Sequence, residues 1–95
     1  MKQDFEKDEK LDAELINSLK DKEPKEMAKT ISEKLSRKYG HEFGGYLRVN
    51  YDFVEEIYTI EYGSKKKEQI AKNEISEIPE RIRFQRELTN KRSKN

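Results

Sequence analysis

The chain has no cysteine and no tryptophan, and only one histidine, two prolines and four glycines among its 95 residues. Without cysteine there is no disulfide framework, no thiolate metal site and no cysteine nucleophile. A single histidine excludes a metal site built on two imidazoles, and so argues against a zinc hydrolase. A run of about eighteen apolar residues, the length a membrane span needs, is absent. The first ten residues, MKQDFEKDEK, lack the apolar stretch of a secretory signal and are acidic rather than Arg-rich. Charge of one sign is lacking too, since 21 Lys and Arg face 20 Asp and Glu for a net of +1. That balance excludes a strongly basic coat for nucleic acid and an acidic decoy for a basic partner. Together these absences lead us to expect a cytoplasmic protein with no membrane association, no metal and no cofactor.

Charged residues make up 43% of the chain and hydrophobic ones 32%. Leu, Ile, Val and Phe number 20, close to the composition at which highly charged chains stay unfolded. The near-zero net charge removes the repulsion that makes that limit decisive, and five tyrosines add ring area that can be buried while the hydroxyl stays wet. We therefore expect one small domain over residues 1–89 with a thin core, fraying over 1–7 and a disordered basic tail over 90–95.

Phe5, Leu11, Leu15, Ile16 and Leu19 form a helical stripe, which predicts a first helix over 8–20. Asp21-Lys22-Glu23-Pro24 breaks it, and proline suits the first position of a second helix over 24–39. Met27, Ala28, Ile31, Leu35 and Tyr39 mark the buried face of that helix, and Gly40 reads as a left-handed cap. A linker of three or so residues makes the two helices an antiparallel pair. From Gly44 the period shortens to two. Leu47, Val49 and Tyr51, then Tyr58, Ile60 and Tyr62, alternate with polar residues, which predicts strands at 45–51 and 56–62 joined as a hairpin. Residues 65–77 read as a weakly amphipathic helix through Ile70, Ala71 and Ile75, with a third strand as the less favoured alternative. A last helix is expected over 79–89. The fold class is α+β: two N-terminal helices, an antiparallel hairpin, then one broken or two short C-terminal helices over the sheet.

The chemistry-bearing residues do not assemble into a known catalytic pattern. His41-Glu42 could supply a general base and its orienter, but neighbours in sequence point apart and no nucleophile is placed beside them. Asp52, Glu55, Glu56 and Glu61 crowd the hairpin, yet Glu61 and Lys65 lack the Glu-x-Lys spacing that a metal nuclease sets on one strand face. Gly44-Gly45 has neither the Lys-Ser or Lys-Thr pair nor the helix of a phosphate loop. Catalytic, cofactor and metal residues are accordingly none.

Two binding readings remain. Tyr46, Arg48 and Asn50 share one strand face, with Tyr51, Tyr58 and Tyr62 on the other, and an open tyrosine-arginine face suits a protein interface. Charge is also polarised along the chain. Residues 1–26 carry −3 and residues 81–95 carry +5, so each end can meet a complementary patch on a partner or on a second copy. The leading expectation is a small non-enzymatic regulator that binds another protein through Tyr46, Arg48 and Asn50, as an adaptor or an inhibitor. The alternative is a nucleic-acid accessory protein using Lys65, Lys66, Lys67, Arg81, Arg83, Arg86, Lys91, Arg92 and Lys94 on phosphates. In layout alone, two helices before a hairpin are similar to a winged helix, which would make 24–39 the recognition helix and 44–62 the wing. The outward face of that helix mixes Lys25, Lys29 and Lys38 with Glu26 and Glu33, and is poor in the Arg, Asn and Gln that read bases.

Overall fold

The structure is a computed structural model that describes residues 2–63 and 66–93, with side chains from Lys7 to Gly63 and from Lys66 to Thr89. Three helices cover one face of a three-stranded antiparallel sheet of order β1-β2-β3. The elements are α1 (Lys2–Ser18), α2 (Pro24–Tyr39), β1 (Leu47–Asp52), β2 (Ile57–Tyr62), β3 (Lys66–Ala71) and α3 (Ile78–Ser93), with 3-10 turns at Gly40–Phe43 and Lys72–Glu77. The α+β class and the two-helix, hairpin, helix order agree with the sequence pattern. Of the fraying expected over 1–7 and the tail expected over 90–95, the described part, 2–7 and 90–93, is helical backbone, and Met1, Lys94 and Asn95 lie outside the described residues.

α2 forms where expected. Proline occupies its first turn, basic Arg37 and Lys38 its last, and its five predicted core residues are all buried. Gly40 departs from expectation, because it is right-handed at φ −56° and carries the chain into a 3-10 turn. The left-handed residue is Gly44 at φ 68°. The delay brings Phe43 back over the sheet, where its ring centroid lies 5.0 Å from that of Tyr62.

The buried face of α1 differs from the predicted stripe. Ile16 and Leu19 are in the core, Leu11 is exposed, and Asp12 is buried in its place. Asp8 and Asp12 extend the Ile16 row backwards at i, i+4 spacing, and both bond to Lys38 near the end of α2. Those contacts, with the short connection after Ser18, set α1 and α2 antiparallel. α1 also leans on α3 through Arg83, which is ion-paired to Asp12.

The hairpin register pairs Leu47 with Tyr62, Val49 with Ile60 and Tyr51 with Tyr58. These six side chains all face the helices, and the Tyr51 and Tyr58 rings meet in a tilted contact, with centroids 4.8 Å apart and planes at 50°. Residues 66–71 are a strand and not the predicted helix. β3 adds to the open edge of β2, with Tyr58 opposite Ile70 and Ile60 opposite Glu68. Two polar residues on its core side, Lys66 and Glu68, hide the alternation. Glu68 is accommodated because it accepts hydrogen bonds from Tyr62 Oη (2.6 Å) and Gln85 Nε2 (3.3 Å). The chain then turns through 72–77 into α3, whose Ile78, Ile82 and Gln85 are buried. α3 runs on to Ser93, past the expected end at 89, since Thr89-Asn90-Lys91-Arg92 contains neither proline nor glycine to stop it.

Candidate protein-binding face

The helices cover one side of the sheet only. On the other side the even residues of β1 and the odd residues of β2 and β3 form an outer face. Arg48 and Asn50 are exposed on it, Tyr46 extends it at the start of β1 with 44% of its surface exposed, and Lys67 and Gln69 continue it across β3. Tyr46, Arg48 and Asn50 are thus brought to one surface by strand alternation. Tyr46 Oη donates to Glu61 Oε1 at 3.0 Å, and Lys67 Nζ stands 3.9 Å from the same carboxylate. This row orients the phenol across the sheet and closes one wall of a cleft of about 630 Å³ that includes Phe43, Gly63 and Lys66. The arrangement presents an aromatic ring, a guanidinium, an amide and an ion pair, groups suited to polar recognition.

The hairpin ends in a four-residue tip, Phe53 to Glu56. Asp52 Oδ1 accepts hydrogen bonds from the backbone N–H groups of Val54 (2.9 Å) and Glu55 (3.2 Å), an Asx-type turn. Glu56 closes it in the left-handed region at φ 57°. The N–H of Lys72 donates to Glu56 O at 3.1 Å, tying the tip to the turn after β3. Phe53 and Val54 stand out from this fixed loop, 71% and 78% exposed. The strands expected at 45–51 and 56–62 leave residues 52–55 as the connection, one residue short of the observed tip, and sequence reasoning did not single out Phe53 and Val54 as exposed. The available signal was two adjacent apolar residues between Asp52 and Glu55, which a hairpin with one covered face cannot both bury.

The acidic residues weighed for a metal are dispersed. Glu61 serves Tyr46 and Lys67, Asp52 serves its own loop, and Glu56 lies 3.7 Å from Lys72 Nζ. Among the described residues no three acidic or imidazole side chains gather as ligands. His41 Nε2 is 3.8 Å from Glu42 Oε2, beyond hydrogen-bond range, and its ring is largely in solvent.

Among the described residues, the basic side chains of the nucleic-acid reading are spread over several elements. Arg83 is ion-paired to buried Asp12, and the Arg86 guanidinium lies 5.3 Å from the Tyr39 ring centroid. Lys66 and Lys67 leave β3 on opposite sides, and Arg81 is exposed on α3 beside Phe84. Lys65 and Lys94 lie outside the described residues, as do the side chains of Lys91 and Arg92.

Among the described residues four groups are perturbed: the core tyrosines Tyr39, Tyr58 and Tyr62, and Lys38 where α2 meets α1. Burial pushes Tyr62 far above the usual tyrosine range, reinforced by its hydrogen bond to Glu68. Burial raises Tyr39 and Tyr58 as well, with Asp12 adding to the effect at Tyr39. For Lys38 burial works downward, but hydrogen bonds to Asp12 and Asp8 overrule it and the ammonium is held above its ordinary value. These groups join elements and do not line the outer face.

No described helix is long and apolar enough to cross a membrane. No protein-family model, curated protein or solved structure matches the chain.

Proposed function

We propose that the protein is a small non-enzymatic regulator of the cytoplasm that acts by binding another protein, as an adaptor or an inhibitor, through the outer face of its sheet. The observation that carries this reading is the uncovered face itself. Tyr46, Arg48 and Asn50 lie side by side on a rigid hairpin, exposed, with the tyrosine oriented by Glu61. Tyrosine and arginine on a preformed surface contribute large contact area at low ordering cost. The partner that fits is a folded protein surface of mixed polarity, with an acidic group for Arg48 and an apolar shelf for the Tyr46 ring.

A photo-crosslinker placed at Asn50 identifies the partner, and titration then measures affinity. Tyr46→Ala and Arg48→Ala should each weaken binding by about tenfold or more, with the unfolding midpoint unchanged. Unchanged affinity in both variants overturns the reading. Anisotropy of labelled DNA and RNA at about 50 and about 200 mM salt addresses the nucleic-acid alternative. With Arg83 and Arg86 engaged inside the molecule, binding should be weak even at the lower salt. Micromolar, steeply salt-dependent binding would replace the protein-partner reading.

A further inference from the structure

The hairpin tip and the groove beside it have matching chemistry. α2 lies along the open edge of β1, close enough for Ser32 Oγ to accept the backbone N–H of Val49 at 3.1 Å. Between them runs a groove of about 400 Å³ whose floor includes Ala28, Val49 and Tyr51 and whose rim carries Lys25, Lys29 and Arg48. Glu33 is the one carboxylate on its wall. The tip has the opposite character: Phe53 and Val54 are flanked by Asp52, Glu55 and Glu56. Groove and tip both belong to β1, the groove ending at Tyr51 and the tip beginning at Phe53. A chain cannot fold its own tip back into this groove, and the exposure of Phe53 and Val54 shows that it does not.

We propose that two copies of the chain associate by reciprocal insertion, the Phe53–Val54 tip of each entering the α2–β1 groove of the other. A two-fold axis near the end of β1 satisfies both insertions at once, because plug and socket are adjacent on the same strand. The apolar pair meets the groove floor chiefly at half-buried Tyr51, and Glu55, the tip carboxylate not engaged by the loop or by Lys72, meets the lysines and arginine of the rim. Phe53 comes preordered. The Asx-type turn and the Lys72 tether already fix its loop, so little conformational freedom is lost on docking. The contact is small, which sets the expected dissociation constant at about 10–100 µM. The groove shares Arg48 and Asn50 with the outer face, whereas Tyr46 does not line it, so Tyr46 variants separate this association from partner binding.

Sedimentation velocity and light scattering over about 5 to 500 µM read the dimer directly. The wild-type protein should pass from monomer to dimer across that range, more readily at low salt. Phe53→Ser should raise the dissociation constant about tenfold or more. Its circular dichroism should be unchanged, because the ring makes no core contact. Lys25→Glu with Lys29→Glu should abolish the dimer, and adding Glu55→Lys to that chain should restore part of it, an outcome that a folding defect would not give. Tyr46→Ala should dimerise normally. A monomer at every concentration overturns the proposal, and so does a dissociation constant that Phe53→Ser leaves unchanged.

Discussion

At the scale of single residues, two positions hold conformations or charges that a free chain would not choose. Glu56 sits at φ 57°, where a side chain with a Cβ costs about 1 kcal/mol relative to glycine. Its ion pair with Lys72 is exposed and long at 3.7 Å, and offsets about half of that at most. Glu56→Gly should therefore stabilise the domain by about 0.5 kcal/mol, read as a higher urea midpoint with an unchanged slope. Asp12 is the opposite case. Its carboxylate is 4% exposed and accepts hydrogen bonds from Lys38 Nζ (3.0 Å) and Tyr39 Oη (2.8 Å) as well as pairing with Arg83. Asp12→Ala strands a guanidinium and an ammonium beside a dry contact and should cost about 3 kcal/mol or more. A loss below about 1 kcal/mol in equilibrium unfolding would show that Arg83 and Lys38 simply swing out to water. Nothing in composition announces Asp12, but its place one helical turn before Ile16 does. A polar residue on the buried row of a helix is read as exposed only when its neighbours are ignored.

Among the elements, those with an unbroken apolar period were legible. α2 shows every buried position at helical spacing, and β2 alternates strictly, with Tyr58, Ile60 and Tyr62 inward. β3 was not legible because its period is carried by residues of the wrong type. Of its three inward positions only Ile70 is apolar, and the inward Glu68 depends on partners 6 and 17 residues away, Tyr62 and Gln85. Local propensity for helix in Lys-Lys-Glu-Gln loses to a vacant edge on β2, where six residues gain a ladder and Ile70 a place in the core. The outer face was legible for the same reason as β2, since alternation alone puts Tyr46, Arg48 and Asn50 together. The ladder makes its own prediction. Val49 N–H points away from β2 to Ser32, and Gly63 N–H bonds to Tyr46 O, so the even residues of β1 face β2. By alternation Glu68 and Ile70 direct their amides to β2, whereas Lys67, Gln69 and Ala71 direct theirs to the free edge. Amide hydrogen exchange should therefore be slow at 68 and 70 and fast at 67, 69 and 71. Uniform protection along β3 would mean that another chain covers the edge.

For the whole molecule, the question is what holds three helices on a narrow sheet when only a fifth of the chain is Leu, Ile, Val or Phe. The Cα radius of gyration, 13.1 Å, is that of a fully packed chain of this length, about 13 Å. Buried tyrosines make up the deficit: Tyr39, Tyr58 and Tyr62 are each no more than 5% exposed, and they join α2 to α1, β2 to β1 and β2 to β3, where Glu68 passes the link on to Gln85 of α3. Filling a core with phenols has a pH consequence. Each of these three hydroxyls, and the Lys38 ammonium, holds its proton above the ordinary value in the folded chain. In the unfolded chain the tyrosines ionise near 10.0. Above that pH the unfolded state has lost protons that the folded state still binds, so stability must fall as pH rises. Below it both states are protonated, and these groups leave stability unchanged. Urea midpoints should thus be level from about pH 7 to about pH 9, apart from carboxylate effects at lower pH, and decline from about pH 10 upward. Tyr62→Phe separates this from general alkaline unfolding. The variant loses a hydrogen bond to Glu68, costing about 1 kcal/mol at neutral pH, but it removes the group whose proton is held most tightly. Its midpoint should start lower and fall less steeply, so that the two curves converge or cross at high pH. Parallel curves would place the alkaline loss in the other tyrosines and Lys38.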